Sequence, residues 1–334
     1  SANEWASTPN LGYNRLGHSA ILSNDGAAVT AVAGYSSTTA YKDTCTVEHY
    51  NVSSNSWSLV TTPLPKALAF YYASVLSNGT YFLFGGRAWT YEVEFDDIET
   101  NAYIYDAVAN VVRVQFTGEH FYEQRGATLT SGDIVLIGGY VFSVTASSLP
   151  NVFIYRACTN EWATLTYPLP VSGHTVTALD NNTAIIIGGA NFSNAEYSSL
   201  GQYPYDCEDK LVNRYNSVFL FDGATRTFTE VAEVPEPVYF HTASLLTNDT
   251  ILVTGGKTTA GTISNHSWIF NLTENTWTRM PDLPISVFFH DAVTYPDGRE
   301  LVTGGFLDGA VSQQVLLYAP CHPYHALPGC SSCI

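Results

Sequence analysis

Four histidines, His18, His174, His241 and His290, each stand 15 or 16 residues ahead of the second glycine of a small-residue pair. Those pairs are Ala33-Gly34, Gly188-Gly189, Gly255-Gly256 and Gly304-Gly305. At the same offset before Gly85-Gly86 and Gly138-Gly139 the chain carries Tyr71 and Gln124 instead. Imidazole binds iron, copper and zinc and titrates near neutral pH, so matched rings raise the question of a metal centre. Bonds of about 2 Å would require all four rings to reach one point. Recurrence with a repeat already accounts for the positions, so the histidines are expected to be structural, with no metal and no cofactor. Cys330 and Cys333 form a CxxC in a proline-flanked tail, whereas redox pairs of that spacing sit at strand-to-helix junctions. A disulfide staple is expected there, and no catalytic residue is assigned anywhere in the chain.

Two other segments combine rings with carboxylates. The first follows Gly86 and contains Trp89, Tyr91, Glu92, Phe95, Asp96 and Asp97. The second follows Gly189, is about 17 residues longer than its counterparts, and contains Tyr197, Tyr203, Tyr205 and Cys207. Aromatic faces stack on sugars or anchor a protein partner, and carboxylates accept hydroxyls or basic side chains. Long loops in compact domains are more often functional than accidental. The alternative is a local cluster of rings pinned by Cys207.

Composition narrows the partners. The 334 residues are 46% apolar and carry a net charge of -17, from 30 carboxylates against 13 Lys and Arg. Such a field repels polyphosphates, so no nucleic acid partner is expected. No run approaches the roughly 20 apolar residues of a membrane-spanning helix. Asn51, Asn78, Asn181, Asn191, Asn248, Asn265 and Asn271 open Asn-X-Ser/Thr sequons. Cys45, Cys158, Cys207, Cys321, Cys330 and Cys333 form an even set, read as disulfides of unassigned pairing. With Ser1 as first residue, these features are read as a secreted, extracellular glycoprotein from which a leader has been removed.

The elements that position these residues come from a repeat. The second glycines are separated by 52, 53, 50, 67 and 49 residues, a period of propeller blades rather than helical solenoids. About eight residues before each pair lies a turn signal: Asp25-Gly26, Asn78-Gly79, Gly132-Asp133, Asn181-Asn182, Asn248-Asp249 or Asp297-Gly298. Each predicts a hairpin. Downstream, two rings stand seven apart: Tyr50 and Trp57, Tyr155 and Trp162, Phe221 and Phe228, Phe270 and Trp277. Copy two has Tyr105 and Val112.

From about Trp5 to Tyr318 this signature resembles the Kelch repeat. The resemblance implies an all-β, six-bladed propeller in which the glycine pair ends the second strand and the rings fill the contacts between blades. Blades are expected near 15–65, 66–118, 119–170, 171–235, 236–284 and 285–318, the last completed by 1–14, with 319–334 as a disulfide-stapled tail. Tyr318 lacks a following Trp, so Trp5 is expected to supply it from an N-terminal strand that closes the ring. The resemblance also implies that the histidines, as in Arg15-Leu16-Gly17-His18, bond the backbone of a neighbouring blade.

In such a blade the hairpins one-to-two and three-to-four share one face, and the loops after the glycine pairs share the other. Five of the seven sequons map to the hairpin face; Asn191 and Asn265 map to the loop face. The loop face is therefore the expected contact surface, with a protein or glycan partner or a second copy of the chain. The alternative is an enzyme resembling Kelch-type copper radical oxidases or a sugar mutarotase; the former needs Tyr, His and Cys-Tyr ligands partly from a further domain.

Overall fold

The computed structural model describes residues 4–37, 42–60, 64, 67–76, 78–88, 97–98, 102–106, 111–114, 121–141, 147–179, 182–192, 211–247, 249–258, 261–307 and 309–320. Among them there is strand and turn but no helix, and no helix long and apolar enough to cross a membrane. Among the described residues the strands form six antiparallel blades, five as four-stranded sheets and the third within a six-stranded one, and in blades one to five the strands run in sequential order from the inner strand outward.

Blade one comprises Ser19–Leu22, Ala28–Val32, Val47–Asn51 and Ser56–Leu59; blade four comprises Thr175–Ala178, Thr183–Ile187, Ser217–Asp222 and Thr227–Glu233. Second strands such as Thr183–Ile187 are buried at every position. Covered on both faces by neighbouring blades, they read as continuous apolar runs rather than alternating ones. Fourth strands such as Ser56–Leu59 lie at the rim and are mostly exposed. The hairpins close where the turn residues demand positive φ, as at Gly79 (82°) and Asn182 (61°).

The rings seven apart lie directly opposite each other on the third and fourth strands. Tyr50 meets Trp57 with centroids 5.2 Å apart, Tyr155 meets Trp162 at 5.0 Å, and Phe270 meets Trp277 at 4.7 Å. They pack against the preceding blade: Tyr155 and Trp162 of blade three with Phe82 and Phe84 of blade two, for example.

Blade six consists of Asp291–Thr294, Glu300–Thr303, Val315–Ala319 and, outermost, Glu4–Ser7. Trp5 pairs with Tyr318, their centroids 5.2 Å apart, and its indole N–H donates to the Pro281 carbonyl of blade five at 3.2 Å. The N-terminal clasp is therefore a feature of the fold.

Behind the clasp, the buried Arg15 forks onto Glu48 (Nη2–Oε2 2.6 Å) and donates to the carbonyls of Ala33 and Thr46. Glu48 also accepts from the Gly12 and Tyr13 amides. Every charge in this pair is hydrogen-bonded, the condition under which a buried ion pair is tolerated.

The cysteine expectation is corrected in part. Cys45 and Cys158 are free thiols. Cys45 packs half-buried at the contact of blades one and two, while Cys158 is exposed in the outer turn of blade three, so neither has a described partner. Cys207, Cys321, Cys330 and Cys333 lie outside the described residues.

Candidate functional site

The histidines sit at the inner joints of the propeller. Each immediately precedes the first strand of its blade, and all are buried, between 0% and 4% exposed. A Cβ on the second glycine of the same blade would strike the histidine Cβ, at 2.7 Å for Gly189 and His174. A Cβ on the first glycine of the preceding blade would strike the ring itself, at 2.8 Å for Gly304 and His18 and 2.7 Å for Gly255 and His290. The glycine pair thus has two functions: its second member admits the histidine's backbone, and its first admits the next blade's ring.

The hydrogen bonds differ from expectation. His241 Nε2 meets Thr175 Oγ1 at 3.3 Å, His290 Nε2 meets Thr242 Oγ1 at 3.0 Å, and His18 Nε2 meets Thr303 Oγ1 at 2.8 Å. The partners on the neighbouring blade are side-chain hydroxyls: Thr175 and Thr242 each follow the preceding blade's histidine, whereas Thr303 ends the second strand of blade six. Burial, above all, lowers all four imidazole pKa values to about 3, and the charge of Arg125 acts in the same direction on each. The rings are neutral at physiological pH. Among the described residues no three His, Cys, Asp or Glu come together as a metal site.

Just ahead of each ring position the chain is left-handed in every blade: Gly17 (φ 56°), Phe70 (58°), Glu123 (58°), Gly173 (65°), Phe240 (57°) and Phe289 (55°). Left-handed backbone is costly for bulky residues and persists only when the surroundings enforce it. Here backbone bonds from blade to blade do so: Phe70 N–H to Gly17 O (2.8 Å), Glu123 to Phe70 (2.8 Å), Phe240 to Gly173 (2.7 Å), Phe289 to Phe240 (3.2 Å) and Gly17 to Phe289 (3.2 Å). Phe70 of blade two and Phe289 of blade six meet over Gly17 of blade one, centroids 5.1 Å apart; Phe240 and Phe289 lie 4.1 Å apart. Three phenyl rings close the axis on the loop face.

Around this closure runs one apolar cluster with members from all six blades, including Leu16, Phe70, Tyr140, Phe192, Tyr239 and Phe288. From it rise short two-stranded ribbons built by the segments after the glycine pairs, among them Tyr35–Ser36 with Lys42–Asp43, Ala190–Phe192 with Leu211–Arg214, and Phe306–Leu307 with Ala310–Val311. Residues 240–284, which carry His241, Gly255-Gly256 and the Phe270–Trp277 pair, match the family model of the Kelch motif. The fold is a six-bladed propeller with a Kelch motif in its fifth blade. No curated protein matches the chain significantly.

On this propeller the aromatic loops remain sequence assignments. Trp89, Tyr91, Glu92, Phe95, Asp96, Tyr197, Tyr203 and Tyr205 lie outside the described residues. Asp97 falls on a ribbon, Asp97–Ile98 paired with Arg87–Ala88, on the loop face. Of the sequons, Asn51 and Asn78 are exposed and Asn271 half-exposed on the hairpin face. Asn191 and Asn265 are half-buried, and Asn265 Nδ2 donates to the Leu283 carbonyl at 3.1 Å. Asn181 and Asn248 lie outside the described residues.

Sequence reasoning missed one titrating group. Glu300 is fully buried between blades five and six, where the other blades carry Val29, Tyr81, Ile134, Ala184 and Ile251. Burial, with some repulsion from Asp291, raises its pKa to about 8 despite Ser244 nearby. A folded-state pKa above the unfolded value of 4.5 means stability present at acid pH and lost as pH rises toward 8. Glu300→Gln is expected to be more stable than the parent at pH 8.5 by on the order of 3 kcal/mol, and by less at pH 6. Urea denaturation at the two pH values reads the difference; an equal change at both would rule out this titration.

Proposed function

We propose that the protein is a secreted, glycosylated binding module whose partner, a protein or a glycan, lies against the ribbon face. Kelch propellers serve generally as protein-binding modules. The observation that carries the choice of face is the apolar floor drawn from six blades, sealed at the axis by Phe70, Phe240 and Phe289, from which the ribbons project. A rigid floor holds loops of unequal length in fixed positions, which lowers the ordering cost of binding. The placement of exposed Asn51 and Asn78 on the opposite face agrees with glycans there leaving the ribbon face clear.

The experiment uses partner molecules retained from the native extracellular medium on immobilised protein. Trp89→Ala and Tyr203→Ala are each expected to weaken their association by roughly 1–3 kcal/mol, the range for a buried aromatic anchor, with melting unchanged. Tyr81→Ala, whose hydroxyl reaches Thr30 between blades one and two, should instead lower stability and leave affinity unchanged. Loss of binding on removal of glycans, with Trp89→Ala and Tyr203→Ala silent, would place the site on the hairpin face. A retained partner that proves to be the chain itself would make the same surface a self-assembly contact.

A further inference from the structure

The joint between blades one and two departs from the other five. Four residues before the second glycine, the second strands carry Phe82, Val135, Ile185, Leu252 and Leu301, but blade one carries Thr30. One residue before the first ring of the pair, the third strands carry Ile104, Ile154, Leu220, Ile269 and Leu317, but blade one carries His49. Blade two meets them with Tyr81, where blades one, three, four and five carry Val29, Ile134, Ala184 and Ile251. In the register opposite Tyr105 it has Val112, the position at which the other blades place Trp57, Trp162, Phe228, Trp277 and Trp5.

At the next joint, between blades two and three, Trp162 fills this region, its centroid 6.3 Å from Phe82 and 5.4 Å from Phe84. Thr30 and Val32, the counterparts of those two rings, are both smaller. Here a cavity lies between the blades, open in part to solvent, with about 300 Å³ of space including its mouth. Val32, Val47, Val60, Leu64 and Leu83 give it aliphatic walls, and Thr30, His49 and Tyr81 complete the lining. Thr30 Oγ1 is 2.8 Å from His49 Nδ1 and 3.3 Å from Tyr81 Oη, so imidazole, hydroxyl and phenol form one chain across the joint. Burial lowers the His49 pKa, which leaves the ring neutral at pH 7. A neutral imidazole has one donor and one acceptor nitrogen. With Nδ1 engaged by Thr30, Nε2 is the nitrogen left to meet a ligand.

Five joints are thus closed by an aromatic ring, and the sixth combines a cavity with three polar groups at positions that are apolar in most other blades. We propose that the joint between blades one and two binds a small phenol-type aromatic, its ring against the aliphatic walls and its hydroxyl bonded to His49. Apolar walls supply the affinity of such a pocket, and a few placed polar groups fix the orientation. A hydroxyl both donates and accepts, so it suits either tautomer of the imidazole. The space between the blades limits the ligand to a single ring. This site is separate from the partner surface on the ribbons, and its failure would leave that reading intact.

Fluorine NMR of 4-fluorophenol titrated with the full chain tests the proposal, with fluorobenzene as the ring that lacks the hydroxyl. A saturable shift of the 4-fluorophenol line is expected with the parent, and fluorobenzene should bind roughly tenfold more weakly for want of one hydrogen bond. His49→Leu should remove that preference and bring the two probes within about twofold of each other. Val112→Trp, which restores the ring of the other blades, should abolish the binding of both. Should Val112→Trp fail to fold, Thr30→Phe, which copies Phe82 of blade two, blocks the same space from blade one. No saturable shift with the parent, equal affinity of the parent for the two probes, or undiminished binding in the folded blocking variant overturns the proposal.

Discussion

Lowering the pH from 7 to 5 is expected to cost this propeller about 5 kcal/mol of stability, more steeply than the titration of surface carboxylates would. His18, His174, His241 and His290 are neutral in the fold, with pKa values pushed down to about 3 mainly by burial. Released into the unfolded chain they titrate near 6.5. A depressed folded-state pKa gives stability that is present above the unfolded value and is lost as pH falls toward the folded one. Each ring therefore adds a slope of about 1.4 kcal/mol per pH unit below 6.5. Glu300 works against them, since the fold keeps its proton up to about pH 8, and Asp291, raised by burial, does so at lower pH. The net slope near pH 5.5 is about three protons, or roughly 4 kcal/mol per unit as an upper bound. Integrated from pH 7 to 5 the loss is about 5 kcal/mol, the low end of a typical stability of about 5–15 kcal/mol. Denaturant midpoints followed by tryptophan fluorescence between pH 5 and 7 measure this slope. His241→Asn and His290→Asn should each flatten it by about one proton, whatever they do to the midpoint at pH 7. A midpoint constant down to pH 5 would mean that the rings take up protons within the fold.

The blade architecture was legible because each of its determinants is local and occurs in nearly every copy. Turn residues, glycine pairs and rings seven apart are all set by the strand period, and the Tyr318 ring without its Trp disclosed the clasp. What escaped notice were the contacts between copies. The hydroxyls that His18, His241 and His290 meet lie 48 or more residues away, Thr242 for His290 being the shortest separation. The left-handed position ahead of the rings has no residue signature, since Gly17 and Gly173 share it with Phe70, Glu123, Phe240 and Phe289. Arg15 and Glu48 are 33 residues apart and look like two surface charges until the fold buries both. The departures carried more information than the matches. Gln124 was visible as a break in the histidine series, but only the register shows that Arg125 then occupies a hydroxyl's place. Glu300 was visible as a carboxylate in an apolar run, without the neighbour that buries it.

Deletion of Ser1 to Thr8 is expected to destabilise the propeller by several kcal/mol, because the segment supplies one complete strand of a closed ring. Glu4–Ser7 pairs in register with Val315–Ala319, from Glu4 opposite Ala319 to Ser7 opposite Leu316. Thr8 N–H adds a bond to the Val315 carbonyl at 3.1 Å. Without it the strand Val315–Ala319, with Val315, Leu316 and Tyr318 now buried, becomes an edge with unpaired amides and exposed rings. Such an edge invites pairing with other chains. Trp5 adds packing across the joint, touching a cluster of Leu283, Val302 and Leu316 and donating to Pro281 of blade five. It is only half-buried, so Trp5→Ala alone should cost less than the roughly 3–5 kcal/mol of a fully buried tryptophan. The deletion should exceed Trp5→Ala by the value of the lost strand pairing, and the truncated chain should associate in gel filtration while the point variant stays at the parent's size. Urea midpoints of the three proteins decide the matter. A truncated chain as stable as the parent would mean that blade six holds together on three strands and that the ring is closed by the joint at Arg15 and Gly305, where the Gly305 amide donates to the Arg15 carbonyl at 2.7 Å, rather than by the clasp.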